Sequence, residues 1–307
     1  MMKICFMGTP QFGATILEKL LTKHEVVLVV TQPDKKVGRK QIIEFSPVKK
    51  VALEKGLEVF QPINIRKEED YILSFDFDII VTAAYGQIVG TRLLEYPRYK
   101  AINVHGSLLP KYRGGAPIQR AIMNGDTETG ITIMYMAKKM DAGDMIAQKA
   151  IPILPEDNQD TMFIKLANLG AEMILPVLDD IEKGIVNPIK QDESKVTYAY
   201  NLTKEDEKID FNKDATTIFN QIRGLSSEPG AYFTIDNNIY KVYSSEVSSL
   251  QGKPGTIVDV TKTSFTIACG KDSITFTEIK PQGKNLMKVR DYLNGKGRSI
   301  IVLNRRV

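Results

Sequence analysis

The sequence predicts an α/β protein: a Rossmann-like, mostly parallel sheet with helices on both faces, followed by a small C-terminal β-barrel of OB-like type. Three observations carry this. Over the first 190 residues, short apolar runs alternate with segments whose apolar residues recur at helical spacing, the pattern of βαβ units. Beyond residue 206 the texture changes to short β-rich runs separated by turn signals, which suits a small antiparallel barrel. Between the two lies "NPIKQDESKVTYAYNLTKEDEKID", polar and without a strong period. The expected organisation is a first domain over 1–190, a linker over 191–206 and a second domain over 207–307. With 307 residues, 43% of them hydrophobic, the chain has apolar material for two cores.

In order, "KICFMG" reads as a buried parallel strand ending in glycine, "FGATILEKLLTK" as a helix, and "EVVLVVTQ" as a second buried strand. "SPVKKVALEKGL" opens with Ser46-Pro47, a capped helix start, and closes at Gly56. "LEVFQP", "DIIVTAAYG", "AINVHGS" and "GITIMYM" are strand-like, and "DTMFIKLANLGAEMILPVLDDIEKG" is a long helix with a bend expected near Pro176. After the linker comes one helix, "ATTIFNQIRGL". The strands "GAYFTID", "NNIYKVYSSEV", "PGTIVDV", "SFTIACG" and "SITFTEIKP" follow.

Composition narrows the function classes. Cys5 and Cys269 are the only cysteines and His24 and His105 the only histidines, so neither a disulfide framework nor a zinc set is expected. Cys5, inside an apolar strand, reads as a small hydrophobe. The N-terminus "MMKICFMGTP" lacks the layout of a signal peptide, and no uninterrupted apolar run approaches the ~20 residues of a membrane span. The expected location is cytoplasmic, with no membrane partner. Residues 1–203 carry 25 basic and 25 acidic side chains, whereas residues 204–307 carry 16 and 12. Eight basic residues fall in 280–307, against Asp291 alone. A basic end on a neutral body suits a polyanionic partner; a solvated, partly frayed tail is the alternative.

The chemistry-bearing stretch is "INVHGSLLPKYRGGAP", residues 102–117. If "INVH" ends a strand, Asn103 and His105 point to one face, at the C-terminal edge where open α/β sheets bind ligands. A locally hydrogen-bonded surface histidine is the plain alternative. The following loop, with Pro110, Pro117, Gly106, Gly114 and Gly115, cannot continue as a regular strand, and its amides could hold a planar ligand. In "KKMDAGDM", Asp141 could orient an imidazole or merely cap a turn. "GTPQFG" lacks both the phosphate-loop and the dinucleotide fingerprints and reads as a tight turn.

Taken together these segments resemble the folate-dependent formyltransferases. Asn103, His105 and Asp141 match the family's catalytic positions, "HGSLLPKYRGGAP" its folate-contacting loop, and "GDTETGITIMYMAKKMDAGD" its active-site segment. "MGTPQF", "TQPDKKVGRKQIIEFSPVKKVA", "IDFNKDATTIFNQIRGLSSEPGAY" and "IKPQGKNLMKVRDYLNG" extend the likeness over nearly the whole chain, toward the members that act on methionyl-tRNA. The chain departs from the family pattern at Phe45, Lys138-Lys139, Tyr200-Asn201 and Phe211.

The resemblance implies transfer of a formyl group from 10-formyltetrahydrofolate to the α-amine of initiator methionyl-tRNA, for translation initiation and without a metal. Asn103 would donate to the oxyanion, His105 would donate to it or relay a proton, and Asp141 would hold the His105 tautomer. Ser107, Leu108, Leu109 and Pro110 would contact the folate. Lys35, Lys36, Arg39 and Lys40 in the loop over 31–45, with Lys284, Lys288 and Arg290 near the C-terminus, would contact the tRNA. A sugar-nucleotide formyltransferase would not need this loop or the basic end, a glycinamide ribonucleotide formyltransferase would lack residues 204–307, and a silent tRNA-binding protein would not need the catalytic three.

Overall fold

The apolar run "KICFMG" is strand β1 (Lys3–Gly8), buried along almost its whole length. The computed structural model describes residues 1–37 and 41–307, the side chain of Val37 excepted. In chain order there follow α1 (Gln11–Leu20), β2 (Glu25–Val30), β3 (Lys35–Val37), β4 (Ile42–Glu44), α2 (Pro47–Glu54), β5 (Val59–Phe60), α3 (Glu69–Leu73), β6 (Ile79–Ala83), α4 (Thr91–Glu95), β7 (Ala101–His105), α5 (Pro117–Met123), β8 (Glu128–Tyr135), β9 (Met145–Pro152) and α6 (Gln159–Lys183). Then come α7 (Lys204–Glu207), α8 (Ala215–Gly224), β10 (Ala231–Ile235), β11 (Asn238–Ser248), β12 (Ile257–Val260), β13 (Phe265–Ala268), β14 (Ser273–Pro281), β15 (Met287–Lys288), α9 (Val289–Leu293) and α10 (Gly297–Ile300).

The chain divides into two compact units. The first holds Met1–Pro117, Glu128–Pro152 and Phe163–Tyr200; the second holds Ile118–Thr127, Ile153–Met162 and Asn201–Val307. Residues 191–200, expected in the linker, are part of the first unit: Ala199 N donates to Arg113 O at 2.7 Å, and Arg113 and Tyr198 form a bridge.

In the first unit the sheet order is β5-β2-β1-β6-β7-β8-β9. β1 pairs in parallel with β2 and β6, β6 with β7 and β2 with β5, while β8 and β9 add antiparallel. This is the predicted Rossmann-like sheet with an antiparallel edge. Ile80 pairs with both Cys5 and Ala101, so these three share a face, and they join a core with Ile72, Leu93 and Leu94 of α3 and α4. On the opposite face, Gly170 of α6 comes so close to Val104 and Ile16 that a Cβ there would lie 2.9 Å from Val104. Ser46 caps α2 by accepting from Lys49 N. By length and composition α6 could cross a membrane, but half of that stretch is buried, with Leu166, Leu169, Ile174, Leu178 and Ile181 recurring on one stripe. Within the expected loop over 31–45, β3 and β4 pair as an antiparallel hairpin with Lys36 opposite Ile43.

The second unit holds an antiparallel sheet of order β10-β11-β14-β13-β12, with β15 on β14. Among the described residues no ladder joins β10 to β12, so the predicted barrel is observed as an antiparallel sheet domain. β12 is met instead by the chain's last residues: Ile257 N donates to Arg305 O and Val307 N to Gly255 O, each at 2.8 Å. Ile218 and Ile222 of α8 pack with Phe211, Phe233, Phe265 and Phe276 in its core.

Candidate active site

β7 brings Asn103 and His105 to the C-terminal end of the parallel strands, on one face, as strand alternation requires. Asp141 arrives from the turn after β8 in the left-handed region, φ 49°. The three side chains meet. Asn103 Nδ2 donates to Asp141 Oδ1 at 3.4 Å, and His105 Nδ1 lies 3.8 Å from Asp141 Oδ2. His105 is 6% exposed and Asn103 half-buried, so charge developing between them is poorly screened.

Neighbouring groups fix each of the three. Thr82 Oγ1 donates to Asn103 Oδ1 at 2.8 Å, which turns the amide so that Nδ2 faces Asp141. Gly114 N donates to Asp141 Oδ2 at 2.9 Å. His105 Nε2 lies 2.9 Å from Tyr112 O, and a carbonyl only accepts, so Nε2 carries a proton. The Tyr112 carbonyl therefore fixes the His105 tautomer, a task the sequence assigns to Asp141. At 3.8 Å the carboxylate is beyond hydrogen-bond range of Nδ1.

The loop after His105 is pinned by β8 and β9. Thr132 Oγ1 donates to Ser107 O at 2.7 Å and accepts from Leu109 N at 3.1 Å, and Gln148 Nε2 donates to Leu109 O at 2.9 Å. Leu109 thus spends its backbone groups on protein partners. Among the described residues no protein acceptor meets the Leu108 amide, and Leu108 is half-buried where Ser107 is fully buried, which leaves the Leu108 amide as the donor for a planar ligand. Pro110 O accepts from Thr197 N at 3.4 Å.

Behind Asp141 stands Gln191. Its Nε2 donates to Asp141 O and Gly143 O, both at 2.8 Å, and its Oε1 accepts from Arg113 Nε at 3.0 Å. Arg113 Nη2 and Lys139 Nζ both reach Glu193, and these hydrogen bonds, Arg113's first, hold its carboxyl down to about 2. Thr82, Tyr112, Arg113, Thr132, Gln148 and Gln191 went unread in the sequence. Only the spacing of Thr82 in "DIIVTAAYG", where strand register sets it beside Asn103, could have signalled one of them. Among the described residues no group of three or more His, Cys, Asp and Glu side chains gathers as a metal set would.

The polyanion candidates lie apart in the chain. Lys35 and Lys36 are exposed on β3, whereas Arg39 and Lys40 lie outside the described residues. Lys284, Lys288 and Arg290 are exposed within seven residues of the second unit, with Arg290 Nε 3.2 Å from Asp291 Oδ1. Of the departures from the family pattern, Phe211 fills the second core, Phe45 lies under Lys49 Nζ at 4.0 Å, and Tyr200 stacks on Tyr198.

Residues 2–178 match the model of the formyl transferase family, and residues 201–297 match that of the formyl transferase C-terminal domain. The chain belongs to the formyl transferase family. Among curated relatives, the methionyl-tRNA formyltransferase of Listeria innocua is 49% identical over 98% of this chain and 97% of its own. That of Staphylococcus epidermidis is 50% identical over 98% of each. Among solved structures, the N-formyltransferase of Helicobacter canadensis, in complex with folinic acid and dTDP-3-aminofucose, shares the fold (TM-score 0.69, 22% identity, 90% of this chain and 99% of that one). HypX of Aquifex aeolicus in complex with tetrahydrofolic acid does so over 95% of this formyl transferase but only 47% of its own chain (TM-score 0.65, 16% identity).

Proposed function

We propose that this formyl transferase moves a formyl group from 10-formyltetrahydrofolate to the α-amine of initiator methionyl-tRNA, for translation initiation. The observation that carries the reading is the near-full-length likeness, at 49% identity, to the Listeria innocua enzyme of that name. The residues at the end of β7 suit the chemistry. The folate supplies an activated formyl carbon and a leaving nitrogen. The neutral amine attacks that carbon, a C–N bond forms, and the carbonyl oxygen becomes an oxyanion. The bond to the folate nitrogen then breaks as the proton shed by the amine moves to it.

Asn103 Nδ2, turned by Thr82, is a preorganised neutral donor for the oxyanion; a comparable donor contributes about 3–4 kcal/mol. With Nε2–H held by Tyr112, the neutral His105 ring has its lone pair on Nδ1, placed to take the amine's proton and return it. Asp141, 3.8 Å away, stabilises the imidazolium that forms. The Leu108 amide would hold the folate, within a loop kept in shape by Ser107, Leu109 and Pro110. Lys35, Lys36, Arg39 and Lys40, together with Lys284, Lys288 and Arg290, would meet tRNA phosphates. An aminoacyl-tRNA acceptor fits a cytoplasmic location, as do two free thiols. The test is formylation of methionyl-tRNA with 10-formyltetrahydrofolate, run beside amino-sugar nucleotides. Turnover of the sugar nucleotide alone would sink the assignment.

A further inference from the structure

The geometry points to Arg113 and Gln191 as positioning residues of the formyl transfer, a clamp that holds the Asp141 turn against the catalytic pair. This rests on the reading of Asp141 as a catalytic group. Asp141 is a non-glycine residue at φ 49°, a region that L-residues leave unless their surroundings hold them there. The Gln191 amide supplies that hold. Both of its N–H groups are spent, on the carbonyls of Asp141 and Gly143. A flipped amide would set an oxygen against two carbonyl oxygens, and Arg113 Nε, donating to Oε1, excludes the flip. Only glycine lets the turn pack this closely on β8, since a Cβ on Gly143 would lie 1.8 Å from Tyr135 O.

Arg113 ties this clamp to the histidine. The residue before it offers the carbonyl that receives His105 Nε2–H, and the residue after it offers the amide that binds Asp141 Oδ2. One buried guanidinium thus fixes, through its own backbone and through Gln191, the groups that hold both His105 and Asp141. Stability alone does not account for it. The Arg113 side chain is 0% exposed, its partner Glu193 is 61% exposed, and Nη1 meets no acceptor among the described residues. Such a half-buried, half-satisfied ion pair returns little against the desolvation it requires.

The test is a double-mutant cycle on steady-state formylation of methionyl-tRNA by the full chain. Gln191→Leu removes the clamp, Asp141→Asn removes the clamped group, and the two are combined. Misplacing a catalytic group by about 1 Å costs on the order of 10²-fold, so Gln191→Leu is expected to lower kcat on that scale while both KM values stay within about twofold. In the Asp141→Asn background the same change should cost less than about twofold, because groups acting through one another are non-additive. Gln191→Glu, which keeps the Arg113 contact but cannot donate to two carbonyls, should behave likewise and serves where the leucine variant fails to fold. An equal fractional loss in both backgrounds, or a near-wild-type kcat for Gln191→Glu, overturns the clamp. A wild-type rate for Asp141→Asn alone overturns the catalytic reading beneath it.

Discussion

His105 is one of two histidines, and the other shows what an ordinary one does: His24 Nδ1 accepts from Met2 N, and burial pushes its pKa down. His105 instead gives its Nε2 proton to a carbonyl and turns Nδ1 toward a carboxylate. His105→Ala and Asp141→Asn are therefore each expected to lower kcat by roughly 10²-fold or more, with tRNA affinity little changed. A His105→Ala enzyme working at the wild-type rate in single-turnover assays would contradict this. Thr82→Val deletes the hydrogen bond that turns the Asn103 amide, worth about 1 kcal/mol, so kcat should fall about fivefold at unchanged folate KM. The two thiols are inert for a plain reason: burial pushes Cys269 up to about 12 and Cys5 higher still. At neutral pH iodoacetamide should label neither until the chain is unfolded, and mass spectrometry of the native protein checks this.

At the scale of elements, alternation along "INVH" was enough to put Asn103 and His105 on one face, and the Ser-Pro start of α2 and its close near Gly56 were equally legible. The partners of those side chains were not. Tyr112 O and Gly114 N are backbone groups, which no residue type advertises, and Gln191 lies 50 residues from the Asp141 it holds. The stretch around Tyr198 looked like linker because a single bridge to Arg113 leaves no alternating pattern. Its closeness has a consequence at Gly114, where φ is 129° and a Cβ would meet Ala199 O at 2.5 Å. Gly114→Ala should lower stability by more than about 2 kcal/mol in urea unfolding and lower kcat with it. The β3–β4 hairpin was hidden because Ile42, Ile43 and Glu44 are all exposed, so burial left no period to read. Joint Lys35→Ala and Lys36→Ala substitution should raise KM for methionyl-tRNA without changing folate KM.

Across the whole molecule, the excess positive charge falls in residues 204–307, and the basic end is not a frayed tail. Val289, Leu293 and Ile301 are core residues there, and Arg305 to Val307 bond to β12 and Gly255. Deleting 280–307 would therefore remove part of a core along with the charge, so electrostatics are tested by substitution. Replacing Lys284, Lys288 and Arg290 with alanine should weaken methionyl-tRNA binding and shrink the slope of log affinity against log salt by about 2–3, at unchanged melting temperature. A wild-type slope would clear these three of phosphate contact.

The segment at Thr197–Ala199 that flanks the site also sets a clock on the newborn enzyme. Tyr112 N finds its partner Thr197 across 85 residues of sequence. At roughly 5–20 residues per second, a ribosome needs about 4–17 s to cover that stretch. Throughout that interval the histidine has been synthesised, but the peptide that will brace its loop has not. A stalled chain ending at residue 190 would carry Asn103, His105 and Asp141 and still lack Gln191 and Thr197, which brace the Asp141 turn and the loop after the histidine.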